Sequence, residues 1–469
     1  MVVHSRRLRK SCHNAAHRVL FLRVVHLPYS YFPDPPGGTE VYVQGLAWGL
    51  QALGVENLIV APAREPAAYQ HEGLAVRRLA TSANPLDLRN LYGQGDPEVA
   101  DQFAGLLAEV EPDVVHLHAF TSAVSLRLVA SVKARGVPVL FTYHTPTVGC
   151  QRGTLLRWGT EVCDGEMAMH RCSRCTLHSL GMSRIGSWVV GSLPAAAGWL
   201  VARGGCRGRM WTALRMSELV GLHHQAVRAL WREVDGIVAL CAWVMELLQR
   251  NGVPAKKIAL CRHGLALKQR ARTQPLAKPI WGRSLRLAFL GRLHPFKGID
   301  LVIRALRALP GAAIELDLYG IVQGERDVLY LRHLMDLAGS DERIQIREPV
   351  PGGRVLSMLE GYDMLVVPSQ SLETGPLVVL EAFAAGIPVL GSHLGGIAEW
   401  VVDGVNGLLV WPADSVGAWI AALGRLSEEP ALVSQLVAGV ASPPTMDEVA
   451  GEMLTLYTEL GLQNRHAMI

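Results

Sequence analysis

Short apolar runs alternate with helix-length amphipathic segments along this chain, and the alternation starts afresh near residue 284. Val19 to Leu27 is a short apolar run. The chain then turns through Pro28, Pro33, Pro35, Pro36, Gly37 and Gly38 before Glu40 to Leu53 takes up helical spacing. That is strand, loop, helix. Leu58-Ile59-Val60, Val114 to His118 and Val139 to Thr142 follow as apolar runs, separated by helical stretches such as Ser122 to Arg135. A helix between successive strands makes them pair in parallel, so the pattern predicts a doubly wound α/β sheet. The stretch Lys268 to Arg283 is basic, polar and proline-bearing, as a linker is. Strand-like runs resume at Leu285 to Gly291 and recur at Ile314 to Tyr319, Met364 to Pro368, Ile387 to Gly391 and Gly407 to Trp411.

The expected fold is therefore α/β, with two doubly wound, Rossmann-like domains facing each other across a cleft. Loops at the carboxyl ends of parallel strands supply the binding site in such a fold. The pattern divides the chain into a basic leader (1–18), an N-terminal domain (19–266) with an insert (146–230), a linker (267–284), a C-terminal domain (285–444) and a final helical segment (445–469) that fits either domain. A length of 469 residues suits two or three units at about 150 residues each.

Composition narrows the function. With 45 Lys and Arg against 41 Asp and Glu, the net charge is +4, and half the residues are hydrophobic. Long disorder and a nucleic-acid partner do not fit. A mean hydropathy of +0.22 is high for an enzyme in water and points to contact with a membrane surface or an apolar substrate. Arg6-Arg7 resembles a twin-arginine export start, but Ser11 to His17 is polar where such a signal is apolar, so the expected location is the cytoplasm.

Several residue groups could carry chemistry. Gly291-Arg292-Leu293-His294-Pro295-Phe296-Lys297-Gly298 leaves a strand, and its Arg and Lys suit an anionic ligand such as a diphosphate, whose developing charge they would stabilise. Glu373 and Glu381 lie eight apart around Gly375-Pro376, which places the first on a loop and the second inside a helix. The amides of Leu377 and Val378 at that helix start are free to meet a phosphate. His116 and His118 alternate on one strand, with His118 at its carboxyl end. Gly37-Gly38-Thr39-Glu40 lets backbone amides approach a ligand at a helix start. Each group by itself also has a plain structural reading: a solvated basic pair, two unrelated glutamates, a satisfied core histidine, a tight turn.

Taken together and in order, these groups resemble the family-four retaining glycosyltransferases of the GT-B fold. The resemblance extends to Glu381-Ala382-Phe383-Ala384-Ala385-Gly386-Ile387-Pro388-Val389, to Gly395-Gly396-Ile397-Ala398-Glu399 and to Asp403-Gly404-Val405-Asn406-Gly407, and it is strongest from 285 to 415. It implies a nucleotide-sugar donor, UDP-linked on family frequency, whose diphosphate is gripped by Arg292 and Lys297 and whose ribose is held by Glu381. It places Glu373 at the transferred sugar, with His118, the Gly38 loop, Gly375, Leu377 and Val378 completing the donor pocket. It implies no catalytic cofactor or metal, and the chain has no Asp-x-Asp pair. The catalytic set is then Glu373, His118, Arg292 and Lys297. His144, at the next strand's end, faces the acceptor, a glycan or lipid-linked hydroxyl. Two doubly wound domains also suit an NAD-dependent oxidoreductase, although no Gly-x-Gly-x-x-Gly is present. A non-catalytic nucleotide-sugar-binding protein is the other alternative.

The insert carries two further features. Cys150, Cys163, Cys172 and Cys175 include one Cys-x-x-Cys pair and suit a structural zinc; reduced thiols, disulfides and an iron–sulfur cluster stay open. Ile185 to Ala202 is uncharged, with Trp188 and Trp199 near its ends, but Pro194 and three glycines interrupt it. An interfacial or buried helical hairpin is expected there rather than a membrane crossing.

Overall fold

The computed structural model describes residues 22–35, 37–84, 86–205, 208–266 and 283–467. The basic leader and nearly all of the linker lie outside the described residues. The N-terminal domain contains β1 (Arg23–Leu27), β2 (Glu56–Ala63), β3 (Ala67–His71), β4 (Leu74–Ala80), β5 (Val114–Leu117), β6 (Val139–Tyr143), the small hairpin β7 (Leu156–Arg157) and β8 (Glu161–Val162), β9 (Gly236–Ala239) and β10 (Ile258–Leu260). Its main sheet runs β10-β9-β6-β5-β1-β2-β4-β3, parallel except for the antiparallel edge strand β3. In the C-terminal domain, β11 (Leu285–Arg292), β12 (Ile314–Ile321), β13 (Ile344–Arg347), β14 (Met364–Val367), β15 (Val389–Ser392) and β16 (Gly407–Val410) form an all-parallel sheet ordered β13-β12-β11-β14-β15-β16.

Both sheets are doubly wound. Strand order reverses between β1 and β5 in the first sheet and between β11 and β14 in the second, and these are the points where loops splay apart to leave a crevice. Residues Arg292 to Gly298 leave β11, and Pro368 to Pro376 leave β14. His118 follows β5, and His144 follows β6. The groups singled out by spacing therefore sit at the two reversal points or beside them.

Two local differences have simple causes. The β3–β4 hairpin has no clear apolar alternation because β3 is an edge strand, half open to solvent; Glu72-Gly73 turns it with both φ values positive, at 45° and 84°. The helix expected over Ser122 to Arg135 spans only Leu126–Lys133. The Thr121 hydroxyl accepts the N–H groups of Ala123 and Val124, so the chain makes a local turn before the helix begins.

The final helix, Met446–Ala467, packs on the N-terminal domain. Met446, Val449, Ala450, Met453 and Tyr457 share a core with Tyr42, Leu46 and Leu50 of the helix Gly38–Ala52. Close approach depends on Gly49, where a Cβ would stand 2.7 Å from that of Ala450. The two passages between domains lie side by side: Leu265 N–H donates to the Pro444 carbonyl at 2.9 Å, and Met446 N–H to the Leu265 carbonyl at 3.1 Å.

In the insert, the helices Met169–Ser179, Arg184–Val190, Ala195–Arg203, Arg209–Leu214 and Met216–Glu233 follow the β7–β8 hairpin. The uncharged stretch is split into Arg184–Val190 and Ala195–Arg203, bent 81° to each other, and no single helix among the described residues is long and apolar enough to cross a membrane. The pair leaves Ile185 (80% exposed), Trp188, Val189 and Leu200 open to solvent.

Candidate active site

Arg292 is the last residue of β11, and Lys297 closes the turn Pro295–Lys297. Gly298 then starts the next helix at φ +67°, where a Cβ would lie 2.2 Å from the Pro368 carbonyl oxygen, so only glycine lets this loop lie against the one leaving β14. Arg292 Nε donates to Asp327 Oδ2 at 2.6 Å. Asp327 is buried and also accepts the Gln323 N–H. Burial would raise its pKa, but Arg292 and the Gln323 amide outweigh that effect and hold the carboxyl below its ordinary value. The guanidinium is thus fixed through Nε, and its two terminal nitrogens make no hydrogen bond among the described residues. Sequence reasoning missed Asp327, one of two carboxylates with Glu325 in the first turn of the helix Glu325–Ala338, with no local signal of its partner.

Lys297 Nζ lies 2.5 Å from Glu373 Oε1, and the Ser369 hydroxyl donates to the same oxygen at 2.8 Å. Burial pushes Glu373 up, while Lys297 and Ser369 bring it below the ordinary carboxylate value. The Glu373 carbonyl accepts the Gly396 N–H at 2.7 Å and the Trp243 indole N–H at 2.9 Å. This loop is therefore pinned from both domains. After Gly375-Pro376, the helix Leu377–Ala384 begins. The N–H groups of Leu377 and Val378 lie in its first turn, where no preceding carbonyl can reach them. Glu381 has no side-chain partner among the described residues, and burial lifts its pKa to about 7.

The N-terminal domain meets this face directly. A Cβ on Gly38 would lie 3.8 Å from Leu377 Cδ1, and one on Gly375 would lie 1.9 Å from His263 Cδ2. The Thr374 hydroxyl donates to the His144 carbonyl. The Glu399 carboxylate accepts the N–H groups of Ala242 (2.8 Å) and Trp243 (3.0 Å), capping the helix Ala242–Arg250 from the opposite domain, and also meets Arg262 at 3.2 Å.

Behind His144 lies a buried row of side chains. His144 Nε2 is 3.0 Å from His118 Nδ1, His118 Nε2 is 3.1 Å from His26 Nδ1, and His26 Nε2 is 3.0 Å from Asn57 Oδ1. Period-2 geometry puts all of them on the face of β2, β1, β5 and β6 that the helices Gly38–Ala52 and Met446–Ala467 cover. Both ring nitrogens of His118 are engaged within the row, which sets His144 nearer the cleft. His116 forms a side branch to Tyr457 and Thr142, each at 2.7 Å. The chain's spacing shows His116 and His118 on one face; it gives no sign of His26 and Asn57.

The four clustered cysteines are free thiols and line one cavity of the insert. A tetrahedral zinc needs its sulfurs within about 3.8 Å of one another. Among the described residues, the group with three ligand atoms within 4.8 Å of one another is His26, His116 and His118, not the cysteines. Burial and the neighbouring Cys150 and Cys163 push the Cys172 thiol up to about 11 despite a backbone hydrogen bond that lowers it, so it is protonated at neutral pH.

Residues 37–264 match the family model described as glycosyl transferase 4-like domain, and residues 277–439 match that described as glycosyl transferases group 1. The chain is 27% identical over 415 residues to the D-inositol 3-phosphate glycosyltransferase of Acidothermus cellulolyticus, covering 86% of this chain and 80% of that protein. It is 33% identical over 222 residues to the enzyme of the same name from Salinispora tropica, an alignment spanning 44% of this chain and 46% of the relative. In structure it is similar to sucrose-phosphate synthase from Thermosynechococcus elongatus (TM-score 0.63, 18% identity, 94% of this chain and 99% of that one). It is also similar to Anabaena HepE solved with UDP and glucose (TM-score 0.61, 14% identity, 93% and 99%). The oxidoreductase alternative falls with these matches. A cleft between two doubly wound domains, one matching the 4-like model and the other the group 1 model, places this chain in the family-four glycosyltransferases of the GT-B fold.

Proposed function

We propose that the protein transfers a sugar, with retention of configuration, from a UDP-linked donor to a hydroxyl of a glycan or lipid-linked acceptor. The observation that carries this reading is the convergence on one cleft face of a fixed guanidinium, a lysine, a loop carboxylate, two unpaired amides and a half-buried carboxylate without a side-chain partner. Arg292 is held by Asp327 so that its free nitrogens can take the donor phosphates. Lys297 shifts from Glu373 to the diphosphate when donor arrives, and Glu373 is left to receive the hydroxyls of the transferred sugar. Leu377 and Val378 meet phosphate through their amides. Glu381, lacking any partner, receives the ribose hydroxyls, and Gly375 and the Gly38 loop close the pocket. As the glycosidic bond breaks, negative charge gathers on the leaving phosphate, where Arg292 and Lys297 stabilise it. The acceptor hydroxyl attacks on the same face and passes its proton toward that phosphate, so positioning and electrostatics carry the step. Solved neighbours hold UDP-glucose in HepE and ADP with acarbose in a starch synthase, which supports a nucleotide-linked donor here.

Melting temperatures with UDP, GDP, ADP and NAD test the reading. A rise with one nucleoside diphosphate that Lys297→Ala abolishes is expected; a rise with NAD alone, or an unchanged response in the variant, overturns it.

Two further parts of the reading concern the insert. Its exposed Ile185, Trp188, Val189 and Leu200, with Arg203 stacked over Trp199 at 3.8 Å, suit a peripheral seat on an anionic membrane, where a lipid-linked acceptor would reside. Cys150, Cys163, Cys172 and Cys175 supply four thiols that a structural zinc would draw together, displacing their protons.

A further inference from the structure

The direction of every hydrogen bond in the buried histidine row follows from one side chain. Asn57 directs its Nδ2 at two carbonyl oxygens, Ala47 at 3.2 Å and Val55 at 3.0 Å. Two acceptors facing one terminal atom require that atom to be the amide nitrogen, so the other, turned to His26 Nε2, is the oxygen. His26 Nε2 must then carry its proton. A neutral imidazole has only one N–H, so His26 Nδ1 is a lone pair and His118 Nε2 must donate to it. By the same step His118 Nδ1 is a lone pair, and His144 Nε2 donates. That leaves His144 Nδ1 without a proton. This nitrogen makes no hydrogen bond among the described residues and is not sealed off as His263 Nδ1 is. Burial depresses the pKa of His26, His118 and His144, which keeps all three rings neutral near pH 7.

We infer that Asn57 and His26 are positioning residues that fix His144 as the Nε2–H tautomer, so that its Nδ1 lone pair accepts a hydrogen bond from a hydroxyl of the sugar bound in the cleft. This rests on the transferase reading for the identity of the ligand, but not for the tautomers. The place of His144 favours a sugar: its own carbonyl binds Thr374, the neighbour of Glu373. Replacing Asn57 by leucine removes the oxygen that holds the proton on His26 Nε2. The row then loses its fixed direction, and Nδ1 of His144 carries the proton in part of the molecules.

The tautomers are tested in the full-length wild-type chain by imidazole nitrogen NMR with histidine labelling, resonances being assigned from single His→Gln variants. Protonated Nε2 and unprotonated Nδ1 on His26, His118 and His144 from pH 6 to 8 are expected; a protonated Nδ1 on His144 overturns the inference whatever the enzyme's activity. For the ligand, UDP and UDP-glucose are the probes. Asn57→Leu should weaken UDP-glucose several-fold while UDP binding changes less than twofold. An equal effect on both overturns the role assigned to His144. Where Asn57→Leu fails to fold, His26→Gln with the same pair of ligands decides. Its loss of tautomer control is expected to weaken UDP-glucose several-fold and to leave UDP unaffected, and equal binding of UDP-glucose overturns the inference. If UDP fails to bind wild type, the donor assignment fails while the NMR result stands.

Discussion

Glu381→Gln separates a carboxylate kept for ligand binding from one kept for stability. Glu381 is inside the helix Leu377–Ala384, lacks a side-chain partner among the described residues, and has its pKa raised by burial from 4.5 to about 7. A raised carboxyl pKa means that the folded chain holds the proton more tightly than the unfolded one. Stability from this group is therefore full below about pH 4.5 and is lost as pH rises to about 7. Between pH 5 and pH 8 the wild type loses about 2.5 kcal/mol on this account. Glutamine does not titrate, so the variant gains that amount relative to wild type over the same interval, and any fixed cost of burying its amide cancels in the comparison. At about 2–4 °C per kcal/mol for a domain of this size, the melting difference should change by about 5–10 °C. The assay is thermal or urea unfolding of both proteins at pH 5 and pH 8 without nucleotide. UDP should stabilise the variant less than the wild type, because the variant loses an acidic acceptor for the ribose and binds about tenfold or more weakly. A stability difference that stays constant from pH 5 to pH 8 would refute the argument that Glu381 is desolvated and unpartnered.

Asp327→Asn should release Arg292 from its charged anchor and weaken nucleoside diphosphate binding about three- to tenfold by calorimetry, with affinity for uridine unchanged. Glu399→Gln removes the charged cap that the C-terminal domain places on the helix Ala242–Arg250, at a cost of about 1 kcal/mol; a larger radius of gyration in solution scattering is expected. Ile185→Asp with Leu200→Asp should abolish co-sedimentation with anionic vesicles while nucleotide binding persists, and unchanged sedimentation would assign the exposed pair of helices to another role. Cys172→Ser with Cys175→Ser should lower both the melting temperature and bound zinc measured by elemental analysis; equal values in both proteins would remove the zinc.

Much of the C-terminal site was legible because its residues announce themselves locally. Arg292 ends a visible strand, Lys297-Gly298 opens the following helix, and Gly375-Pro376 separates a loop glutamate from a helical one. Their partners were not legible. Nothing near Lys297 names Glu373, and nothing near Arg292 names Asp327, because those pairings depend on loops from different strands meeting where strand order reverses. The insert shows the opposite case: its uncharged run has the length of a membrane span, but Pro194 and the neighbouring glycine break it into two bent helices. The cysteine spacing predicts convergence, and the four thiols do line one cavity, although their sulfurs stand too far apart to close around zinc without moving.

Periodicity by itself determined two parallel α/β domains, the ends of their strands and the identity of the charged residues placed there, since alternation and helix breaks are properties of neighbouring residues. The tertiary structure decided what those residues touch. It brought Asn57, His26, His118 and His144 from four strands into one hydrogen-bonded row and set Glu399 on a helix start 157 residues away. It also returned the last helix to the first domain, where Gly49 admits Ala450. Burial, proton position and partner choice follow from strand order and close packing, and a one-dimensional pattern carries neither.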